Sequence, residues 1–414
     1  MSDYSTVFRR FLRAVARLNV PLQGFAMSPN SLNPPGFSTS RRRFVRNLAT
    51  SGAALCAASC GLSFDAAAFA RSLENDAARK PIDVDLSGDP GVSDAEMEAI
   101  YEQIKTPYKQ GVIVPQENGN PVDSANVFRK DGVWHMVYLC FLDKTGYVAK
   151  LAKSDDLVRW ETLGVVAPFR RTGWDAWQVS PSAALVDHNW GGSYEIQKYD
   201  NKYWFTYIGG AGKGYEPDPL KIGLAWTDDA ASPKEWNRLD RPIMAPEDPD
   251  ARAFEKTTLY KTNVIWDKER RLGSQFVCFY NGKAIENGRS VERIGTAVSD
   301  NLVDWRRFGN GPIIDNGSGI SGDPQVVRLG DYWVMFYFGA FWKPKAFDTF
   351  AVSKDLVHWR RWEGPHLVEP SEDYDATYAH KPWVVFHDGI VYHYYNAVGS
   401  QGRCLALATS KPLK

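Results

Sequence analysis

The sequence predicts an all-β fold, a five-bladed β-propeller with a short N-terminal helix. Short runs of β-forming residues such as "VWHMVYLCF" and "YWVMFYFGA" recur along the chain and are bounded by turns. A polar turn, first seen as "KSDDLVRW", follows the third strand of each four-strand unit and begins at Ser154, Thr227, Ser299, Ser353 and Ser410. Four-stranded repeats of this length are typical of propeller blades, and a β-sandwich with accidental internal similarity is the alternative.

Residues 1–70 have the features of an export signal. The arginine-rich "SRRRFVRN" precedes a soft apolar run and the small-residue segment "AAAFA". This order is typical of a signal peptide, and it resembles the twin-arginine type. We predict cleavage after Ala70 and a periplasmic or secreted protein. The apolar run is too short and too polar for a membrane span; a lipid-modified Cys60 and a start at Met27 instead of Met1 stay open.

Residues 71–110 are predicted to form a polar linker and one helix. The segment "SDAEMEAIYEQIK" has an N-cap serine, acidic residues in its first turn and apolar residues at helical spacing. Residues 111–414 then form the propeller. Its fifth unit stops after three strands, so "GVIVP" at 111–115 is predicted to supply the fourth strand and close the ring.

The composition is that of a soluble globular protein, with 44% hydrophobic and 24% charged residues and zero net charge. Nothing in that balance indicates a nucleic-acid partner, and no membrane partner is expected once the signal is removed. Beyond the signal, Cys140, Cys278 and Cys404 lie in apolar strands, and their number and spacing predict buried free thiols. Aromatic residues reach 13%, which fits either a β-rich core or a sugar-binding surface.

The chemistry is expected where the innermost strands of the blades begin, since these starts converge at one end of a central channel. Aligning the units on their second strands places Asp123, Asp323, His380 and Lys381 there. Unit three adds Lys261, with Glu255 a little upstream. For unit two we take "YEIQKY" as the inner strand, with Asp175 in the loop before it.

Five such units, the Asp at the start of the first inner strand and the recurring turn resemble the propeller glycoside hydrolases of families 43, 32, 68 and 117. The resemblance covers about residues 110–414. It implies that Asp123 is a general base, or a nucleophile as in families 32 and 68. The general acid is left open between Glu255, by analogy with family 43, and His380, by analogy with family 117. Asp323, with Asp175 as the alternative, would orient the sugar or raise the pKa of the acid.

Loop aromatic residues are expected to stack on sugar rings, namely Trp174, Trp177 and Trp342. Lys261 and Lys381 either bind an acidic or sulfated substrate or pair with the carboxylates of the site, and we favour pairing. No cofactor is expected to be required, although a structural calcium in the central channel is a further expectation from hub histidines of family 43.

The resemblance and the predicted signal together imply an exported glycoside hydrolase, exo-acting and inverting. It is expected to act on a plant or algal oligosaccharide or polysaccharide as a monomer or homodimer. A propeller-type glycoside phosphorylase is the alternative enzyme, because Lys261, Lys381 and His380 could bind phosphate. A carbohydrate-binding propeller without catalysis is the alternative from another class.

Overall fold

The computed structural model describes residues 79–413. The signal predicted for residues 1–70 lies outside them. In the described part, one helix, α1 (Asp94–Ile104), precedes a succession of β-strands. No helix in residues 79–413 is long and apolar enough to cross a membrane.

The strands pair into five antiparallel units of four, as the repeats predict. The first unit contains β2 (Val122–Lys130), β3 (Val133–Leu142), β4 (Gly146–Ser154) and β5 (Glu161–Ala167). The second contains β6 (Gln178–Ala183), β7 (Tyr203–Gly210), β8 (Lys221–Thr227) and β9 (Asn237–Arg238). The third contains β10 (Thr258–Trp266), β11 (Phe276–Glu286), β12 (Arg289–Ser299) and β13 (Arg306–Phe308). The fourth contains β14 (Ile320–Leu329), β15 (Tyr332–Ala340), β16 (Ala346–Ser353) and β17 (Arg360–Arg361).

The fifth unit joins the two ends of the propeller. It contains β18 (Tyr378–His387), β19 (Ile390–Gly399) and β20 (Gly402–Thr409), and its outer strand is β1 (Tyr108–Val114). Tyr108 pairs with Thr409 and Val114 with Leu405. The predicted closure by "GVIVP" is therefore confirmed, and this unit has no strand missing at its outer edge.

The recurring turn is built by side chains that accept hydrogen bonds from the backbone. Ser154 Oγ accepts from the N–H groups of Asp156 and Leu157, at 3.2 and 3.0 Å. Asp156 Oδ1 in turn accepts from Arg159 N–H at 2.8 Å. The copies at Ser299 and Ser353 have the same pattern. Ser and Asp recur because they satisfy backbone donors that no strand can pair.

Helix α1 follows its sequence signals. Ser93 and Glu96 form a reciprocal capping box, and Met97, Ile100 and Ile104 are buried. These three side chains join a core cluster with residues of the fourth and fifth units. The short N-terminal helix is thus packed on the propeller by its apolar face. The three predicted buried thiols are also found, since Cys140, Cys278 and Cys404 are free and buried.

The inner strand of the second unit is not the one that the sequence predicts. It is β6, "QVSPSA", whereas residues 194–199 form only isolated bridges. Glu195 accepts hydrogen bonds from the Asp131 and Gly132 N–H groups at the β2–β3 turn, which lies at the far end of the inner strands. Two serines and Pro181 made the true strand look like a loop. Pro is tolerated there because an innermost strand is a sheet edge.

Polar side chains on the inner strands bind the inner strand of a neighbouring unit. The bonds join Asn126 Oδ1 to Ala183 N–H (3.2 Å), Asn263 Oδ1 to Val326 N–H (2.9 Å), Gln325 Oε1 to Val384 N–H (2.6 Å) and Trp383 Nε1 to Val127 carbonyl (3.0 Å). These bonds satisfy backbone groups that face the channel, and they fix the positions of the inner strands relative to one another.

Candidate active site

Four of the five inner strands contain a register shift at the same place near their start. The shifts lie between Asp123 and Asn126, Leu259 and Thr262, Gly322 and Gln325, and His380 and Trp383. Ser124, Asp323 and Lys381 adopt positive φ angles of 58°, 50° and 67°. Non-glycine residues adopt such angles rarely, and bulges often re-aim side chains next to active sites. The repeated bulge therefore turns polar side chains toward one end of the channel.

A cavity of about 260 Å³ opens at this end. Its polar and charged lining consists of Tyr215, Glu216, Tyr260, Asn281, Glu292, Asp323, Tyr378, His380, Lys381 and Arg403, with Phe338 and Phe341 among the apolar residues. Asp323, His380 and Lys381 are thus brought together as the sequence predicts. Glu216 and Glu292 were not among the predicted site residues.

Glu292 lies near the start of β12 and is only 9% exposed. Asn281 Nδ2 donates a hydrogen bond to its Oε2 at 2.8 Å. Burial, followed by the negative charge of Glu216, raises the pKa of the Glu292 carboxyl to about 8. Glu292 is therefore protonated near neutral pH and can donate a proton inside the cavity.

Glu216 belongs to the loop between β7 and β8. Its side chain is 25% exposed, and its Oε1 lies 3.8 Å from Lys381 Nζ. Its φ angle of 47° is again in the left-handed region. The loop thus presents a second carboxyl group to the cavity, close enough to Glu292 to influence its pKa.

Asp123 lies behind the cavity and is 1% exposed. Its Oδ2 accepts hydrogen bonds from Lys381 Nζ at 3.1 Å and Arg403 Nη1 at 2.7 Å, and Ser124 Oγ donates to Oδ1 at 3.0 Å. Burial alone would raise the pKa of Asp123, but the two cations outweigh it and bring the pKa well below its usual range. Asp123 is therefore an ionised carboxylate that supports the two cations of the cavity.

Asp323 and Lys261 are two further buried groups whose charges influence each other. Burial raises the pKa of the Asp323 carboxyl to about 6, even though Lys381 and Lys261 oppose the shift. Lys261 is 4% exposed and donates to the carbonyls of Ser124 and Pro181. Burial lowers the pKa of Lys261 to about 8. Of the two predicted roles, Lys381 has the pairing role, since it binds the Asp123 carboxylate, whereas the hydrogen bonds of Lys261 go to backbone carbonyls.

His380 lines the cavity but is 6% exposed, with its Nδ1 3.3 Å from the Asn396 carbonyl. Burial, together with the charges of Arg403 and Lys381, lowers the pKa of His380 well below its ordinary value. The imidazole is therefore neutral near pH 7, which makes it a weaker candidate for the general acid than Glu292.

Glu255 and Asp175, two of the predicted carboxylates, do not line the cavity. Glu255 is fully buried, 3.0 Å from Arg252 Nε and 3.5 Å from Arg307 Nε, and it accepts from the Tyr280 hydroxyl. Asp175 is also fully buried; it lies 3.3 Å from Arg238 Nη1 and accepts from the Tyr207 hydroxyl at 2.9 Å. Both carboxylates are enclosed by arginines and have no access to a substrate in the cavity.

The three predicted sugar-stacking tryptophans also lie outside the cavity lining. Trp174 stacks on Tyr207, with ring centroids 5.7 Å apart. Trp177 packs against Phe169 at 5.3 Å. Trp342 donates from Nε1 to the Ile320 carbonyl at 2.8 Å. Their contacts are those of side chains that fix loops.

No group of three or more His, Cys, Asp or Glu side chains in residues 79–413 is arranged to hold a metal ion. The Lys261 ammonium donates hydrogen bonds to the carbonyls of Ser124 and Pro181 on two inner strands. The structural calcium in the channel stays a prediction.

Solved structures resemble the chain closely, although no family model and no curated protein matches it. A structure of BT0996 in an RGII complex is 44% identical over 78% of this chain and 96% of its own, with a TM-score of 0.75. Another, named only as a glycoside hydrolase, is 43% identical over the same shares, with a TM-score of 0.74. This chain is a propeller glycoside hydrolase.

The predicted family and the predicted enzyme class, a glycosidase, are thus confirmed. A thermostable family-43 glycoside hydrolase is 16% identical to this propeller hydrolase over 74% of the chain and 96% of its own, with a TM-score of 0.52. At this identity the likeness shows the fold alone. It agrees with the all-β propeller described above.

Proposed function

We propose that this glycosidase releases a terminal sugar from an oligosaccharide, with Glu292 as the general acid and Glu216 as the second catalytic carboxylate. One observation carries the proposal: two carboxyl groups line the same cavity, and the buried one is kept protonated near pH 7. Glycosidases commonly use two carboxyl groups in different protonation states, which their environments set.

Glu292 meets the requirements of a proton donor to the leaving oxygen. The acid must be protonated when substrate binds and must lose its proton readily in the transition state, so its pKa should lie near the working pH. Its pKa of about 8 satisfies this condition, and Asn281 fixes the carboxyl group. The charge of Asp323 adds to the upward shift of the Glu292 pKa, which is the tuning role expected from the sequence.

Glu216 is the more exposed carboxyl and would act on water or on the sugar itself. In an inverting enzyme it activates water, and in a retaining one it attacks the anomeric carbon. We keep the inverting mechanism expected from the sequence. The configuration of the first product, observed by NMR during hydrolysis, tests it: the opposite anomer is expected, and the same anomer would contradict it.

We assign Asp123 a supporting role in place of the predicted general base. Its carboxylate is 1% exposed and already binds Lys381 and Arg403, so a water molecule would have to displace a cation to reach it. Removing one partner of such a buried pair leaves an uncompensated charge. Asp123 would hold the two cations where they can contact sugar hydroxyls.

The size of the cavity supports an exo-acting enzyme. At about 260 Å³ it is smaller than the 300–1,000 Å³ that is usual for drug-sized ligands, and it fits about one sugar unit. The relative BT0996, whose structure is an RGII complex, suggests the substrate class. We propose an RGII oligosaccharide, of the plant type expected from the sequence.

The test is incubation of this oligosaccharide with the wild type and with Glu216→Gln, followed by analysis of released monosaccharide. Release by the wild type and loss of at least a hundredfold in the variant are expected. Release at equal rates would contradict the assignment of Glu216. A glycoside phosphorylase is the alternative enzyme, because Lys381 and Arg403 could bind phosphate. It would require phosphate for turnover and would form a sugar phosphate, whereas a hydrolase would do neither.

We further propose that the protein is exported by the twin-arginine route, as residues 40–46 suggest. Arg41→Lys combined with Arg42→Lys is expected to leave the protein in the cytoplasmic fraction with its signal uncleaved. Normal export of the double variant, compared with Arg9→Lys as a control, would contradict this route.

A further inference from the structure

We propose that Tyr215 and Phe341, which line the same cavity as Glu216 and Glu292, form the subsite for the leaving-group sugar. This inference rests on the proposed function. Both rings belong to the cavity lining, yet 46% of Tyr215 and 66% of Phe341 is exposed. Exposed aromatic side chains at the rim of a polar cavity are available for the apolar faces of a ligand.

Phe341 is held in a conformation that a bulky residue rarely adopts. Its φ angle is 67°, and Lys345 at the other end of the same loop has a φ angle of 64°. Backbone strain of this kind persists only where the surrounding structure fixes it, and it is found often at ligand sites. The strain therefore marks the β15–β16 loop as a candidate part of the binding site.

Trp342 explains how the loop keeps this shape. Its Nε1 donates to the Ile320 carbonyl at 2.8 Å, and its ring packs edge-to-face on Phe347, with centroids 5.0 Å apart. With Trp342 fixed below, the preceding Phe341 points to solvent and meets the edge of Tyr378 at 6.5 Å. The tryptophan expected to stack on sugar instead positions the phenylalanine that can.

Tyr215 is also fixed by its neighbours. Its ring meets Phe141 and Tyr147 edge-on, each at 5.7 Å, and the Arg403 guanidinium lies 5.4 Å from its centroid. Tyr215 directly precedes Glu216, so the ring and the catalytic carboxyl share one loop. A sugar attached to the residue in the cavity must pass this opening, and the flat rings would contact its C–H faces.

The ligand of this subsite is thus the second sugar ring of the substrate, or an aromatic group in its place. The cavity binds the terminal sugar, and Tyr215 and Phe341 at its rim bind the leaving-group sugar. Phe341→Ala should therefore weaken binding of an oligosaccharide and leave binding of the free monosaccharide unchanged. The loss of an aromatic stacking contact corresponds to roughly a threefold to tenfold weaker affinity.

The experiment measures dissociation constants by calorimetry in the Glu292→Gln background, where substrate stays intact. The probes are an RGII oligosaccharide and the monosaccharide that it contains at its terminus. Phe341→Ala, Phe341→Leu and Tyr215→Ala are compared with Tyr108→Ala, a control of equal exposure (45%) on β1. Phe341→Leu keeps apolar bulk without a flat ring and guards against a loop that loses its shape.

Weaker binding of the oligosaccharide alone, in Tyr215→Ala and in both Phe341 variants but not in Tyr108→Ala, is the expected result. Unchanged oligosaccharide binding, or equal weakening for both probes, would overturn the subsite. Failure of the proposed function is distinct, since it would appear as no release of monosaccharide by the wild type, whatever the Phe341 variants bind.

Discussion

Arg403 Nη1 lies 2.7 Å from Asp123 Oδ2, across the junction between the fifth unit and the first. Arg403 is on β20, the strand that β1 covers, and Asp123 is at the start of β2. Lys381 binds the same carboxylate oxygen from the neighbouring inner strand. One carboxylate therefore holds both cations of the cavity at the junction where the ring closes.

Asp123→Asn is expected to lower stability and activity together. The substitution leaves two partly buried cations without their anion; losses of about 3–5 kcal/mol in the free energy of unfolding are usual for fully buried pairs, so a smaller loss is expected here. We expect a lower melting temperature and a higher KM as the cations move. Asp131→Asn, exposed at the far end, is the control. Loss of kcat by a thousandfold with unchanged melting temperature would instead identify Asp123 as the general base.

Glu255→Gln distinguishes a structural carboxylate from a catalytic one. Glu255 is enclosed by Arg252 and Arg307, so its neutralisation should lower the melting temperature. We expect kcat, normalised to folded protein by circular dichroism, to change less than threefold. A kcat reduced a hundredfold with normal stability would show that the acid lies where the resemblance to family 43 first suggested.

The pH dependence of kcat/KM should report the Glu292 proton. Activity is expected to fall above about pH 8, because Glu292 loses its proton there. Asp323→Asn removes a negative charge that raises the pKa of Glu292, so the alkaline limb should move to lower pH. If the alkaline limb of the pH profile does not move in Asp323→Asn, the proposed influence of Asp323 on the pKa of Glu292 is contradicted.

Glu292 should also make stability depend on pH. Its pKa is about 8 in the folded state against an ordinary 4.5, so the folded state retains a proton that the unfolded state loses. The contribution of Glu292 to the free energy of unfolding is fully present below pH 4.5 and is lost as the pH rises toward 8. By pH 7 about 3 kcal/mol of it is lost. Glu292→Gln should abolish this fall and raise the melting temperature at pH 7–8. A variant less stable than the wild type at pH 8 would contradict the pKa assignment.

The fold could be predicted because it repeats. Each copy of the turn beginning at Ser154 needs the same side-chain acceptors, and apolar strands keep the same order in every unit. The helix was equally predictable, since Ser93 and Glu96 form its capping box. The prediction for the second unit was wrong because β6 neither alternates apolar and polar residues nor is rich in β-branched residues. A more strand-like segment also lies nearby.

Only half of the site could be predicted, because the alignment followed inner strands. Asp323, His380 and Lys381 lie at their starts and were found. Glu292 lies on a third strand, and Glu216 lies in a loop whose path no local pattern fixes. Two adjacent charged residues, Glu292 and Arg293, in the strand-like "VERIGTAV" were the available signal for Glu292. Glu255 is enclosed by arginines because segments distant in sequence meet in the fold. The spacing of residues along the sequence does not show such contacts.

The most direct test of the account is the leaving-group dependence of Glu292→Gln. An acid catalyst is needed for a sugar leaving group and is dispensable for a dinitrophenolate, which departs without a proton. We predict that kcat/KM falls by about a thousandfold on the oligosaccharide and by less than tenfold on the 2,4-dinitrophenyl glycoside of the same terminal sugar. Equal losses on both substrates would show that Glu292 is not the proton donor.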